Sequence, residues 1–537
     1  MKKMKKRNII IVLALAIVLV MTGCSKSDSG AKATAAKGAQ PTLNADGSFH
    51  LPIVDKPTTF TIFSTLNNMP FNSEWPVWKE IEAKTNIRLE SNISQSNSNE
   101  NEAFNLMLSS NNLADIICYS KVADVEKLGQ DGGMLALNDL IDEYAPHIKA
   151  YMDSHPTFKQ FATSLDGNIY FIPKDQTTKS CEYWWIRADW LEKLDLEVPT
   201  NVDELYEVLT AFRNNDPNGN GLKDEIGIFD RAGWKMPDEY LYLWDSSTQF
   251  YFRDGKAVFE PMTENYKYAV SQFAKWYREG LVDPEIFTRG PKSRDILYSA
   301  DNGGFTHDWV STSTYNDTIS IPGFEVMAIS PVADQNGNVK ERTLRAPAMG
   351  WGISSSCKDP VAVIKLMDFM FTEEGSDYMN WGIEGTSYEV MADGSKRFMT
   401  ENCGDLPPVG FMRQLGSIYR VGFSQTGAYE AATRNESGNY AVDLYESHPE
   451  WYAEVSELPP YSDGLMDLKI FPEDLGRYKK IMNSIDPYVK EKFQSWILGT
   501  SSLEADYDGF IAELKKRGID EATAIVQKAY DRFLESK

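Results

Sequence analysis

The residues with the sharpest chemistry lie in one short string, Asp216-Pro-Asn218-Gly-Asn220-Gly221-Leu222-Lys-Asp224-Glu225. Oxygen-bearing side chains stand at its first, third, fifth and ninth positions, with glycine at the sixth. That is the front of an EF-hand type calcium loop, in which glycine permits the tight turn and alternating side chains point at one centre. Calcium is a hard cation that takes roughly six to eight oxygens, and carboxylates supply its countercharge. Asp216, Asp224 and Glu225 provide three here. The twelfth position departs from the pattern, since Gly227 stands where glutamate is usual. Without metal, the same string reads as an Asn/Gly/Asp turn. A calcium held here has a structural role, because a sphere filled by protein leaves little open coordination for catalysis.

Aromatic residues are the second theme. The chain has 13 Trp and 26 Tyr, with groups at Tyr183-Trp184-Trp185, Trp234, Trp244, Phe305/Trp309, Trp351 and Trp381/Tyr388. A sugar ring has apolar C–H faces and a polar rim, so a site for it needs flat platforms beside Asp, Glu, Asn and Arg. Most aromatics in any chain are core residues. Strand alternation puts Trp184 and Trp185 on opposite faces, so only one of them faces a given cleft. Five histidines and no HExxH string argue against a zinc enzyme. Glycoside hydrolysis needs two carboxylates about 5–10 Å apart across a bond, and spacing does not reveal such a pair.

The N-terminus carries Lys2, Lys3, Lys5, Lys6 and Arg7, then an apolar run over 9–21, then Thr22-Gly23-Cys24. This is a secretory signal, too short to span a bilayer of roughly 20 residues comfortably. Its end resembles the lipobox of bacterial lipoproteins, which implies cleavage after residue 23 and lipid (palmitate-type acyl chains) on Cys24. Residues 24–50 are mostly small and polar and read as a flexible tether. Loss of the leader's five positive charges takes the formal net charge from −24 to −29. So acidic a body disfavours nucleic acid and direct contact with an anionic membrane. Cys118, Cys181, Cys357 and Cys403 permit up to two disulfides, in three pairings. Cys118, in an apolar run, reads better as a buried strand residue, which favours free thiols.

The elements that must position these residues alternate between strand and helix. Strands are expected over 59–63, 87–93 and 114–119, with helices between them over 74–84 and around Phe104, Met107 and Leu108. Asp166-Gly167 is expected to turn into a strand over 169–172. A second α/β region opens with a strand over 182–187 and a helix over 189–194. Thr200 is expected to cap the next helix, and a periodic helix over 266–279 stops at Gly280. Such alternation argues for an α/β class with a parallel sheet flanked by helices. No internal repeat is visible.

The string "WIRADWLEKLDLEVPTNVDELYEVLTAFRNNDPNGNGLKDEIGI" resembles the central signature of the extracellular solute-binding proteins of family 1, the binding subunits of bacterial sugar importers. "WKEIEAKTNIRLE", "FNLMLSSNNLADII", "GGMLALNDLIDEYAPHI", "LDGNIYFIP", "AKWYREGLVDPEIF" and "YMNWGIEGTSYEV" agree in order. The resemblance extends over most of the chain after Pro52 and is nearest to the larger, calcium-containing type that includes alginate-oligosaccharide binders. It implies two α/β lobes joined by crossing segments around a ligand cleft, with one lobe from 51–175 plus 300–370 and the other from 176–299 plus 371–537. It implies that Asp216, Asn218, Asn220, Leu222 (through its carbonyl), Asp224 and Glu225 hold structural Ca2+, Glu225 closing the site in place of the twelfth residue. It further implies a monomer that passes a carbohydrate to importer permease subunits. Trp185, Arg187, Asp308, Trp309, Trp351, Glu384 and Tyr388 are the candidate ligand residues, Arg187 suiting an acidic sugar. A sugar receptor for a signalling partner and an exported glycoside hydrolase are the competing readings.

Overall fold

Thr58–Phe63 (β1) is β-branched and aromatic, and its inward side chains, Phe60, Ile62 and Phe63, are buried. The coordinates are a computed structural model, and the residues described are 41–66, 69–94, 99–175, 182–233, 236–342, 348–404, 406–417, 421–422, 427–452 and 468–535. The leader, Cys24, the first part of the tether, Cys181 and Trp234 lie outside them.

The chain continues through Pro76–Thr85 (α1), Ile87–Ser91 (β2), Glu100–Ser109 (α2), Ile116–Ile117 (β3), Val122–Gln130 (α3) and Ile172–Lys174 (β4). Both β2 and β3 run parallel to β1, as β-α-β alternation requires. A second region follows: Glu182–Arg187 (β5), Val202–Asn214 (α4), Ile226–Ile228 (β6), Glu264–Arg278 (α5), Gly303–Trp309 (β7) and Val326–Ile329 (β8). The chain then returns with Ala348–Ile353 (β9) and Pro360–Phe369 (α6), continues with Glu436–Glu446 (α7) and Pro472–Ile497 (α8), and closes with Leu503–Arg517 (α9) and Ile519–Glu535 (α10).

The first sheet has the order β2-β1-β3-β9-β4, with β9 antiparallel to both neighbours. The second has the order β8-β5-β7-β6, in which β5 is antiparallel to β7 and β8. The sheets are therefore mixed rather than purely parallel. Each belongs to its own core, which gives two α/β lobes. One core gathers β1–β4, β9 and side chains through Tyr429, including Trp351, Trp381 and Tyr388. The other packs Trp184, Phe212, Phe273 and α8 on one face of the second sheet. Tyr183, Trp185, Tyr298 and Tyr445 cover its opposite face. Trp184 and Trp185 thus do lie on opposite faces.

Two parts of the expected partition differ. Residues 303–342 build the second lobe, because β7 pairs with β5 from Phe305↔Ile186 to Trp309↔Glu182. Residues 371–429 supply the first core with Phe371, Tyr378, Trp381 and Phe398. The true crossings run from β4 to β5, from Arg342 to β9, and back into the second lobe before α7. The cap of α4 is also shifted by one residue. Asn201 accepts from Asp203 N and Glu204 N at 3.1 and 3.0 Å, while Thr200 Oγ1 donates to Glu204 at 2.7 Å. Asn at the cap satisfies the first orphan amides of the helix. Cys357 and Cys403 are free and buried, and Cys118 is buried. Among the described residues, no helix is long and apolar enough to cross a membrane.

Candidate functional site

The string 216–225 joins α4 to β6 and folds back on itself through its own side chains. Asp216, Gly219 and Gly221 adopt left-handed backbone at φ 51°, 73° and 78°, which is why glycine is needed at two of them. The Asp216 carboxylate accepts from Asn220 N and Gly221 N at 3.0 and 2.8 Å. Asn218 Oδ1 accepts from Asn220 N at 3.0 Å, and Asn220 Oδ1 accepts from Leu222 N at 2.7 Å. Asn220 Nδ2 donates to Asp224 at 3.0 Å. The candidate donors thus gather around one tight turn.

Glu225 behaves differently. It is fully buried, and neither carboxylate oxygen has a hydrogen-bond partner. Burial, with Asp224 and Asp216 adding to it, pushes its carboxyl above the ordinary range. A buried carboxylate without a partner is costly, and a divalent cation is the group that relieves it. The donor set therefore fits calcium. The loop is also braced from outside. Asn218 Nδ2 donates to the Asp301 carbonyl at 3.1 Å, and Arg213 Nη1 donates to the carbonyls of Lys223 and Glu225.

Arg187 belongs to this bracing. Its Nε and Nη2 donate to Asp189 at 2.7 and 2.8 Å, and Nη2 also reaches Asp301 at 2.6 Å. The rings of Trp190 and Phe324 cover it, each centred 4.3 Å from the guanidinium carbon. The side chain is wholly buried, so its charge is committed inside the lobe and not presented to a ligand.

The other candidates fall into two groups. In the second lobe, Asp308 is buried and pairs with Arg231 at 3.2 Å and Arg294 at 3.1 Å. Its carbonyl accepts from Trp185 Nε1 at 3.0 Å, and its carboxylate accepts from Trp309 N at 2.7 Å. Trp185 is fully buried, so it supports the strand end from beneath. Trp309 itself is 41% exposed, an aromatic plate at the end of β7 opposite Glu182, the first residue of β5. In the same lobe, Arg342 pairs with Asp245 and lies over the Tyr251 and Tyr242 rings at 4.5 and 5.7 Å. In the first lobe, Trp351 is fully buried and stacked on Trp78 at 5.7 Å, and Tyr388 packs near Trp381 at 6.1 Å. Glu384 is exposed.

Sequence reasoning missed Arg231, Arg294, Glu239, His307, Glu341 and Arg342. They come from separate segments and share no local spacing. The one available signal was the string Gly303-Gly-Phe-Thr-His307-Asp308-Trp309, where His307 adjoins the candidate Asp308.

Residues 73–377 match the family described as bacterial extracellular solute-binding protein. The crystal structure of the alginate-binding protein AlgQ2, determined without calcium ion, is 32% identical, with a TM-score of 0.76 over 89% of this chain and 99% of that one. The fructooligosaccharide ABC transporter substrate-binding protein FusA of Streptococcus pneumoniae is 27% identical over 98% of both chains. The structure of a FusA EF-hand mutant in complex with fructo-nystose shares the fold, at 23% identity and a TM-score of 0.68 over 89% of this chain and 100% of that one.

Proposed function

The chain belongs to the bacterial extracellular solute-binding proteins, and from that premise we propose that it captures an oligosaccharide outside the cytoplasm and delivers it to an ABC-type importer. The observation that carries this reading is Trp309. An exposed indole at the end of β7, on a residue whose backbone N–H donates to Asp308 and which stands opposite the first residue of β5, suits the apolar face of a sugar ring. The charged groups behind it, Arg231 and Arg294, hold Asp308 in one orientation and so preorganise that plate. The relatives named for fructooligosaccharide and alginate binding support an oligomeric ligand.

Capture involves no bond chemistry. Ligand bridging two lobes favours the closed arrangement by its differential affinity for that state, and the closed form is what the permease subunits meet. The 216–225 loop holds calcium through Asp216, Asn218, Asn220, the Leu222 carbonyl, Asp224 and Glu225. The ion offsets two of the three carboxylate charges and stiffens the α4–β6 connection. Cys24 carries the lipid, and the tether is shorter than 24–50, since Thr42 is buried and donates to the Tyr144 carbonyl at 2.7 Å and the Phe49 ring lies 5.4 Å from that of Phe369. The protein works as a monomer.

A thermal-shift and calorimetric screen of the mature chain against fructo-, alginate, galacturonate and neutral oligosaccharides tests the reading. One class should bind with a single site, and Trp309→Ala should weaken it by roughly 30-fold, the cost of losing an anchor worth about 2 kcal/mol. Failure of every carbohydrate class to bind would sink it.

A further inference from the structure

The end of β7 holds a second group of donors that the calcium loop and the aromatic plate do not use. His307 is 1% exposed and lies in the second lobe beside the crossings. Its Nδ1 faces Glu239 Oε1 at 3.7 Å and Glu182 Oε2 at 4.0 Å. Its Nε2 faces Glu341 Oε2 at 3.5 Å, on the other side of the ring. Among the described residues, Glu182, Glu239 and His307 form the one group of three such donors whose ligand atoms all lie within 4.8 Å of one another.

We infer that His307 Nδ1, Glu182 and Glu239 form a second metal site, for a borderline divalent transition ion of the zinc type. Spans of 3.7 and 4.0 Å exceed a hydrogen bond but lie within twice a zinc–ligand bond of about 2.0–2.2 Å. An ion seated between these atoms meets all three with small side-chain rotations. Glu341 then takes the place a metal-bound histidine usually reserves for a carboxylate: it accepts the Nε2 proton, fixes the tautomer and leaves Nδ1 for the ion. The ring is already oriented. It lies against Trp184 with centroids 4.4 Å apart, and the His307 backbone N–H donates to Tyr240 Oη at 3.3 Å. One imidazole and two carboxylates suit zinc and leave a fourth position open. The hard-oxygen preference of calcium sends that ion to 216–225 instead.

The placement suggests what the ion does. Glu182 is the first residue after one crossing, and Glu341 stands at the start of the next. Glu239 lies on the 3-10 turn Pro237–Trp244. The ion ties the foot of β5 to that turn and, through His307 and Glu341, to the segment that leaves for the first lobe.

The test uses the mature chain, stripped with EDTA and reloaded with saturating calcium. Calorimetric titration with zinc should give one equivalent, and cobalt(II) should give a visible ligand-field spectrum at the same stoichiometry. His307→Gln and Glu239→Gln should each abolish stoichiometric binding, and Glu341→Gln should weaken it about 10–100-fold. Asp216→Ala should leave the zinc equivalent in place. Glu239 stands on the partly exposed turn, so its variant carries the test even where the His307 variant folds poorly. Absence of a zinc equivalent in the unaltered chain, or zinc binding unchanged in Glu239→Gln, would overturn the inference. Neither result bears on carbohydrate binding, which is read in a separate titration.

Discussion

Arg187 illustrates how one side chain serves a site it does not touch. Its guanidinium is clamped between Trp190 and Phe324 and paired with Asp189 and Asp301, and the Asp301 carbonyl in turn holds Asn218 of the loop. A buried ion pair adds little over a well-packed apolar pair, but removal of one member leaves the other charged and buried. Arg187→Met should therefore lower the unfolding free energy by about 3–5 kcal/mol in denaturant titrations. The same variant should weaken calcium binding, since Asp301 loses the group that holds it. Unchanged stability together with unchanged calcium affinity would show that the clamp is dispensable.

At the scale of elements, the connection between α4 and β6 is a turn whose stability depends on what it holds. In the metal-free protein the buried Glu225 carboxylate opposes folding. Its carboxyl is raised above the ordinary value of 4.5, so metal-free stability should fall as pH rises through that raised value. Glu225→Gln removes the charge and should leave the metal-free protein at least as stable as the unaltered one at neutral pH. It should also lose the calcium response. For the unaltered chain, free calcium at about 100 times Kd should add about 2.7 kcal/mol and raise Tm, and EGTA should reverse the gain. A Glu225→Gln variant that still gains stability on calcium addition would remove this residue from the coordination sphere.

At the scale of the whole molecule, two cores must act as one body. Lys469, just ahead of α8, donates to Glu126 at 2.6 Å and to the carbonyls of Phe161 and Thr163. Those three acceptors belong to the first lobe, while α8 packs in the second core. Lys479 of α8 adds a contact to Asp124 at 2.7 Å. Between α3 and α8 lies a cavity of about 350 Å³, lined by Ala123, Gln130, Leu165, Phe250, Tyr478 and Met482. Lys469→Met should remove the buried tie at a cost of about 3–5 kcal/mol. Differential scanning calorimetry should then resolve the lobes as separate transitions, since what couples them is the contact between them. A single transition at the original temperature would show that other contacts hold the lobes together.

Local chemistry is what the sequence by itself determined. The donors of 216–225 lie within ten residues, so their spacing alone encodes the turn that gathers them. Trp184 and Trp185 on opposite faces, the helix that ends before Gly280 and the buried Cys118 follow from the same short periodicities. Tertiary structure decided everything that joins distant segments. Residues 303–342 fall in the second lobe because β7 finds β5, more than a hundred residues back, and no spacing records that pairing. Arg187 read as a candidate ligand contact until Asp301, 114 residues away, proved to be its partner. His307 stood unremarked beside the candidate Asp308 because Glu182, Glu239 and Glu341 reach it from three other places in the chain. Backbone geometry restricts neighbours along the chain, whereas only packing of the two cores selects which remote groups meet.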